Sequence, residues 1–191
     1  MSWTSRNGYL NQAEKEGNAR EVARYAQQEH WSKTALCAIL GNMEAESGIN
    51  PGIWENLVPY DPNGGYGLTQ WTPYTKLSNW ATSEGLTWED DGETQLMMLS
   101  NEAATNQQWF YNSEIGMAPP ITFEDFLHDD NYTLQDMTNF FLWFYEHPVD
   151  PGPSTQAQRF ANAEYWWNFL GSYGMIPIWL MFKMRQMKGG Q

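Results

Sequence analysis

A strongly apolar helix that must stop against a turn does most to limit what this chain can fold into. Apolar residues recur at spacings of three and four at Ala35, Leu36, Ile39, Leu40 and Met43, the pattern of a helix face turned to a core. Ser32 stands just ahead of them, where a side-chain oxygen caps a helix N-terminus. The run then meets Gly48-Ile49-Asn50-Pro51-Gly52, and a left-handed glycine is expected directly past the last helical turn. From there to Pro73 turn formers dominate: Pro59, then Asp61-Pro62-Asn63-Gly64-Gly65. The expected structure of that stretch is loop with one short β-hairpin.

The rest of the chain reads as helix. Val22, Ala23, Tyr25 and Ala26 place a first helix over residues 18–29, with Gly17-Asn18 as its start signal. Further helices are expected over 74–82, 91–106, 123–129, 134–145 and 155–170. Thr155 and Gln158 have the spacing of a capping box, and Thr133 with Asp136 has a weaker version. The fold class is thus α+β and predominantly α-helical: two lobes, one small β-hairpin, and a cleft between. Residues 1–171 form one domain, of ordinary size for a single core. Residues 172–191 differ in character. Met175-Ile176-Pro177-Ile178-Trp179-Leu180-Met181-Phe182 is unbroken apolar sequence followed by Lys183, Arg185 and Lys188. That is too short to span a bilayer, and reads as an anchor to an assembly, a contact with a membrane surface, or a linker.

Charge excludes one class of partner. The formal net charge is −13, and no Lys or Arg occurs between Lys76 and Arg159. A nucleic-acid binder needs the opposite sign. The single cysteine, Cys37, sits among apolar neighbours, so no intramolecular disulfide forms and a buried, inert thiol is expected. The polar N-terminus lacks the apolar core of a signal peptide, so synthesis in a cytoplasm is expected. No cofactor is implied and no metal site is evident: His30, His128 and His147 are scattered, and no HExxH or Cys/His cluster is present.

The candidate chemistry lies in two runs. The first ends in Glu44-Ala45-Glu46-Ser47. Glu46 falls near a helix C-terminus, where the dipole and apolar surroundings favour a protonated carboxyl, as a general acid needs. Glu44, two positions earlier, points roughly 200° away and cannot share Glu46's cleft. The second run is Gly64-Gly65-Tyr66-Gly67-Leu68-Thr69-Gln70-Trp71-Thr72-Pro73. Its glycines let a sugar approach the backbone, and Gln70 offers both donors and acceptors. Tyr66, Thr69, Gln70 and Trp71 are the candidate substrate contacts, with Trp54 and Tyr60 as further rings for stacking on sugars. Asp61 and Glu55 are the acidic residues available in the hairpin as a second carboxylate, although Asp61 is also an ordinary turn residue.

These two runs, with Phe144-Tyr145-Glu146-His147-Pro148, Arg159 and Ala163-Glu164-Tyr165-Trp166-Trp167, resemble the phage tail lysozyme family over residues 18–170. That family is similar to goose-type lysozymes and lytic transglycosylases. The resemblance implies a lysozyme-like fold and a virion-associated domain. It implies cleavage of bacterial peptidoglycan, at the link between N-acetylmuramic acid and N-acetylglucosamine, as the virus infects. It further implies Glu46 as the acid and Gln70 as the glutamine of a Gly-Leu-x-Gln motif; it assigns no role to Asp61. Delivery on a particle is consistent with an acidic protein and an anionic wall, which do not attract each other. The expected partners are peptidoglycan, and phage tail proteins through residues 172–191. A lytic transglycosylase using the same glutamate, a non-catalytic wall-binding tail protein and a late lysis enzyme are the alternatives. Relatives often carry a second, metallopeptidase domain, which this sequence does not show.

Overall fold

The structure is a computed structural model that describes residues 3–148 and 152–172. The apolar and basic run expected to act as an anchor lies outside the described residues. Among the described residues the elements are helical: α1 (Gln12–Gln28), α2 (Lys33–Ser47), α3 (Thr75–Ser83), α4 (Gly92–Ala104), α5 (Phe123–His128), α6 (Leu134–Phe141) and α7 (Pro153–Ser172). A 3-10 turn covers Glu55–Leu57, and a π-helical turn, Leu142–Glu146, extends α6.

Helix α2 is the central element, packed against α1, α5, α6 and α7. Every residue from Thr34 to Met43 is buried, so it has no solvent face over that length, as its near-continuous apolar sequence requires. Ser32 caps it, accepting from Ala35 N. Gly48 closes it in the left-handed conformation at φ 64°, its N–H bonded to Glu44 O. Helix α7 packs directly on α2 because Gly41 has no side chain. A Cβ there would lie 2.7 Å from Arg159 O and 2.8 Å from Ala163 Cβ. Aromatic residues of α5 and α6 and the π-turn, among them Phe123, Phe126, Phe141 and Phe144, complete the core with Trp109.

The expected β-hairpin is corrected by the structure. Among the described residues there is no strand; only isolated antiparallel bridges join Trp54 to Tyr66 and Tyr66 to Trp71. A ladder fails because Gly67 (φ 81°) and Gln70 (φ 52°) turn the chain between the bridged residues Tyr66 and Trp71 and leave too few consecutive extended residues. Buried amide side chains satisfy the backbone instead. Gln95 Oε1 accepts from Leu68 N (2.8 Å) while its Nε2 donates to Pro51 O (2.8 Å). Asn50 Nδ2 donates to Arg6 O and Gly8 O. Gly67 is obligatory here, since a Cβ would sit 2.4 Å from Gln95 Oε1.

Helix limits differ where a better cap was available. Helix α1 begins at Gln12, not near Asn18, because Asn11 and Glu14 form a reciprocal capping box. Asn18 is instead buried inside the helix and donates to Thr4 O and Ile49 O. Helix α7 begins with Pro153 at its first position, which the missing N–H of proline favours, so the Thr155–Gln158 pair lies within the helix. The weaker Thr133–Asp136 box does form. Cys37 is buried and free, and burial pushes its thiol up to about 12. No helix among the described residues is long and apolar enough to cross a membrane.

Candidate active site

Glu46 leaves the core at the last turn of α2. Its neighbour Ser47 fixes that exit: the hydroxyl reaches Leu68 O at 2.8 Å and accepts from Asn50 N at 3.3 Å. Ser47 thus ties the helix end to the Gly67–Trp71 loop, which accounts for a serine following the glutamate. Glu44, on the other side of the turn, pairs with Lys15 at 3.1 Å, away from the cleft.

Glu46 opens into a cleft of about 690 Å³. The loop contributes Glu55 and Thr69 to Thr72, and α3 contributes Lys76. The π-turn and the residues after it contribute Tyr145, Glu146, His147 and Pro148. Of the four candidate substrate contacts, Thr69, Gln70 and Trp71 line the cleft, whereas Tyr66 does not. Tyr66 is packed between Trp54 and Trp88, and its hydroxyl accepts from Asp90 N at 2.8 Å. Gln70 commits its Nε2 to Gly67 O (3.0 Å) and Ile53 O (3.2 Å), so part of its role is to hold the loop. Glu55 lines the cleft and accepts from Gly65 N at 2.8 Å. Asp61 accepts from Asn63 N, as a turn aspartate does.

Two features were not legible in the sequence. Arg159 of α7 is buried and forms an ion pair with Glu46; its other terminal nitrogen donates to Asn42 O at 2.9 Å. The sequence reading of Glu46, built on the helix dipole and apolar neighbours, did not include this cation. The other feature is Glu146, whose Oε1 is shut off from solvent and has no hydrogen-bond partner. Burial first, then the neighbouring Glu46 charge, holds its carboxyl well above the usual range, against the pull of Arg159. The π-turn brings it there. His147 N bonds to Leu142 O, five residues back, and the wider turn rotates Glu146 relative to a continuing α-helix. The sequence signal was the Tyr-Glu-His-Pro run, which marks a helix end but not its direction.

Behind the cleft runs a buried polar chain. Tyr145 OH donates to Glu102 Oε2 at 2.7 Å, and Trp71 Nε1 donates to the same oxygen at 3.3 Å. Thr69 Oγ1 lies 3.4 Å from Tyr145 OH. The chain links the loop wall to the π-turn wall through α4.

With this geometry in place, comparison with known proteins is decisive about kinship. Residues 17–170 match the family described as phage tail lysozyme. The chain belongs to the phage tail lysozyme family. The matched span contains the whole cleft described above. A relative, Morphogenesis protein 1 of Bacillus phage B103, is 38% identical over 176 residues, which is 92% of this chain. The chain spans 45% of the length of that curated relative.

In this member of the phage tail lysozyme family the polar chain gives stability a pH dependence. Burial pushes the Glu102 carboxyl from 4.5 up to about 7, while its bonds from Tyr145 and Trp71 pull it back. A raised carboxyl binds its proton more tightly folded than unfolded. Its contribution is therefore full below about 4.5 and is lost as pH rises through about 7. The loss is on the order of 3 kcal/mol. Urea melts across that range should show the parent weakening with pH. Glu102→Gln should remove its share of that slope, leaving the parts due to Glu146, of the same sign, and to His147, whose burial lowers it and gives the opposite sign.

Proposed function

We propose that this chain is a glycosidase that cleaves the glycan strand of bacterial peptidoglycan, with Glu46 delivering a proton to the glycosidic oxygen. The observation that carries the reading is Glu46 itself. It is a carboxylate fixed at the end of a buried helix and facing a cleft whose other lining, Thr69, Gln70 and Trp71, is polar and aromatic, as sugar recognition requires. Thr69 and Trp71 are each anchored from behind through Tyr145 and Glu102, so the cleft is pre-organised. Family membership and the likeness to a phage morphogenesis protein support action on the host wall from a virus particle, during infection. On this reading Tyr66 acts from the core, by seating Trp54 and the loop.

A lytic transglycosylase is the second reading. It draws support from Glu55, whose Oε2 accepts from Gly65 N and so helps to hold the loop, with its other oxygen left to meet water. Product analysis on purified peptidoglycan separates the two. Reducing ends mean hydrolysis, anhydro-sugar ends mean transglycosylation, and no release of either means a wall-binding protein without activity.

Gln70→Ala tests the loop. Two hydrogen bonds to backbone carbonyls disappear, each worth about 1 kcal/mol. Turnover should drop about tenfold while the chain remains folded, with a modest decrease in Tm. Full turnover would remove Gln70 from the substrate site, and loss of folding would make it purely structural.

A further inference from the structure

Glu46 poses a chemical problem. A general acid must carry a proton when substrate arrives, yet Glu46 is ion-paired with Arg159. Beside it, lining the same cleft, stands a carboxyl with the reverse character. Glu146 has one oxygen sealed from solvent and without any partner, an arrangement that costs an ionised carboxylate far more than a neutral acid. Two carboxyl groups and one guanidinium therefore share a small volume, and one proton neutralises the set.

Taking the cleft to be glycan-cleaving, as proposed above, we propose that Glu146 stores the catalytic proton in the resting enzyme and passes it to Glu46 when substrate binds. The Glu146 acid gives its proton to the Glu46 carboxylate, so Glu146 becomes the charged member and Arg159 turns its charge toward it. Glu46 then protonates the glycosidic oxygen. The C1–O bond breaks, its electron pair stays with the departing oxygen, and the leaving sugar departs as an alcohol. The sugar cation is captured by water, or by the substrate's own hydroxyl, and the proton released returns to Glu46. It passes from there to Glu146, restoring the starting state. Glu146 is thus a positioning residue for the proton and need not touch the sugar. The groups that set the balance come from three neighbouring elements, Glu46 of α2, Arg159 of α7 and Glu102 of α4, and the titratable groups Tyr145 and His147 line the cleft beside it. Burial and the Glu46 charge favour the neutral form of Glu146, and Arg159 opposes them.

The test is the pH profile of turnover on purified peptidoglycan for the parent, Glu146→Gln and Glu46→Gln. Without the store, Glu46 must draw its proton from solvent. Glu146→Gln should then lose at least about tenfold at pH 7 and recover as pH is lowered, moving the optimum to acid. Glu46→Gln should be inactive at every pH. If Glu146→Gln keeps the parent's pH optimum, or is folded and dead at every pH, the proton-store idea is overturned while the Glu46 reading stands. An active Glu46→Gln would overturn both. Should Glu146→Gln not fold, carbon-13 titration of labelled glutamates decides the matter in the parent. One carboxyl should remain protonated at pH 7 with a midpoint that falls in Glu46→Gln. The Glu102 carboxyl should not respond, because Glu46 is not among the groups that shift it. Absence of a responding carboxyl overturns the proposal.

Discussion

Glu46→Gln should lower the rate of glycan release by at least about 10²-fold, the usual worth of a positioned general acid. The substitution keeps shape and volume but removes the proton. It also converts a charged bond from Arg159 into a neutral one, and Arg159 is buried. Some loss of stability is therefore expected alongside the loss of rate, because a buried cation is left without its counter-charge. The two effects separate by experiment: turnover is measured well below the melting temperature, and binding to insoluble wall is measured in parallel. Binding that persists while cleavage disappears fits the acid role. Glu44→Gln is the control. Its partner is Lys15, so it should affect stability slightly and turnover little. If Glu44→Gln were the inactive variant, the assignment of the acid would be wrong.

Gly41→Val should be the most destabilising single change proposed. Glycine in a helix interior is ordinarily unfavourable by about 1 kcal/mol relative to alanine, so a side chain at Gly41 would help the isolated helix. The tertiary contact decides otherwise. Even a Cβ falls 2.7 Å from Arg159 O and 2.8 Å from Ala163 N. These are backbone atoms, which cannot move aside as a flexible side chain can. Overpacking of that kind is destabilising by about 1–3 kcal/mol, occasionally more, and a branched side chain lies at the upper end. For a domain of this size each kcal/mol lowers Tm by about 2–4 °C. The same displacement pushes α7, and with it Arg159, away from Glu46. Turnover per folded molecule should therefore fall as well. A variant with unchanged Tm would show that α7 does not seat on Gly41 as described.

That glycine illustrates how the sequence and the fold divide the work. Local signals were readable because they act over a few residues. Ser32 caps α2, Gly48 ends it in the left-handed conformation, and Glu46 is delivered to the surface between them. The Glu-Ser pair and the Gly-Leu-Thr-Gln-Trp run were placed beside one cleft by their resemblance to the phage tail lysozyme family. The sequence placed a helix at each of the seven α-helices found among the described residues, with errors at the ends where Asn11 and Pro153 offered better starts.

What the sequence could not reveal depends on residues far apart in the chain. Turn formers between Asn50 and Pro73 looked like a hairpin, but Gln95 of α4 supplies hydrogen bonds to Leu68 N and Pro51 O that a ladder would have provided. Tyr66 looked like a sugar platform, and packing made it core. Arg159 reaches Glu46 across 113 positions, and only the close approach of α7 to Gly41 brings it there. Glu146 enters the cleft because one π-turn rotates the end of α6. The sequence by itself determined which helices form and where α2 must stop, because caps and periodicity are short-range. Tertiary packing alone decided which charges surround Glu46, because charge in a buried site is set by whatever the folded chain brings within a few ångströms.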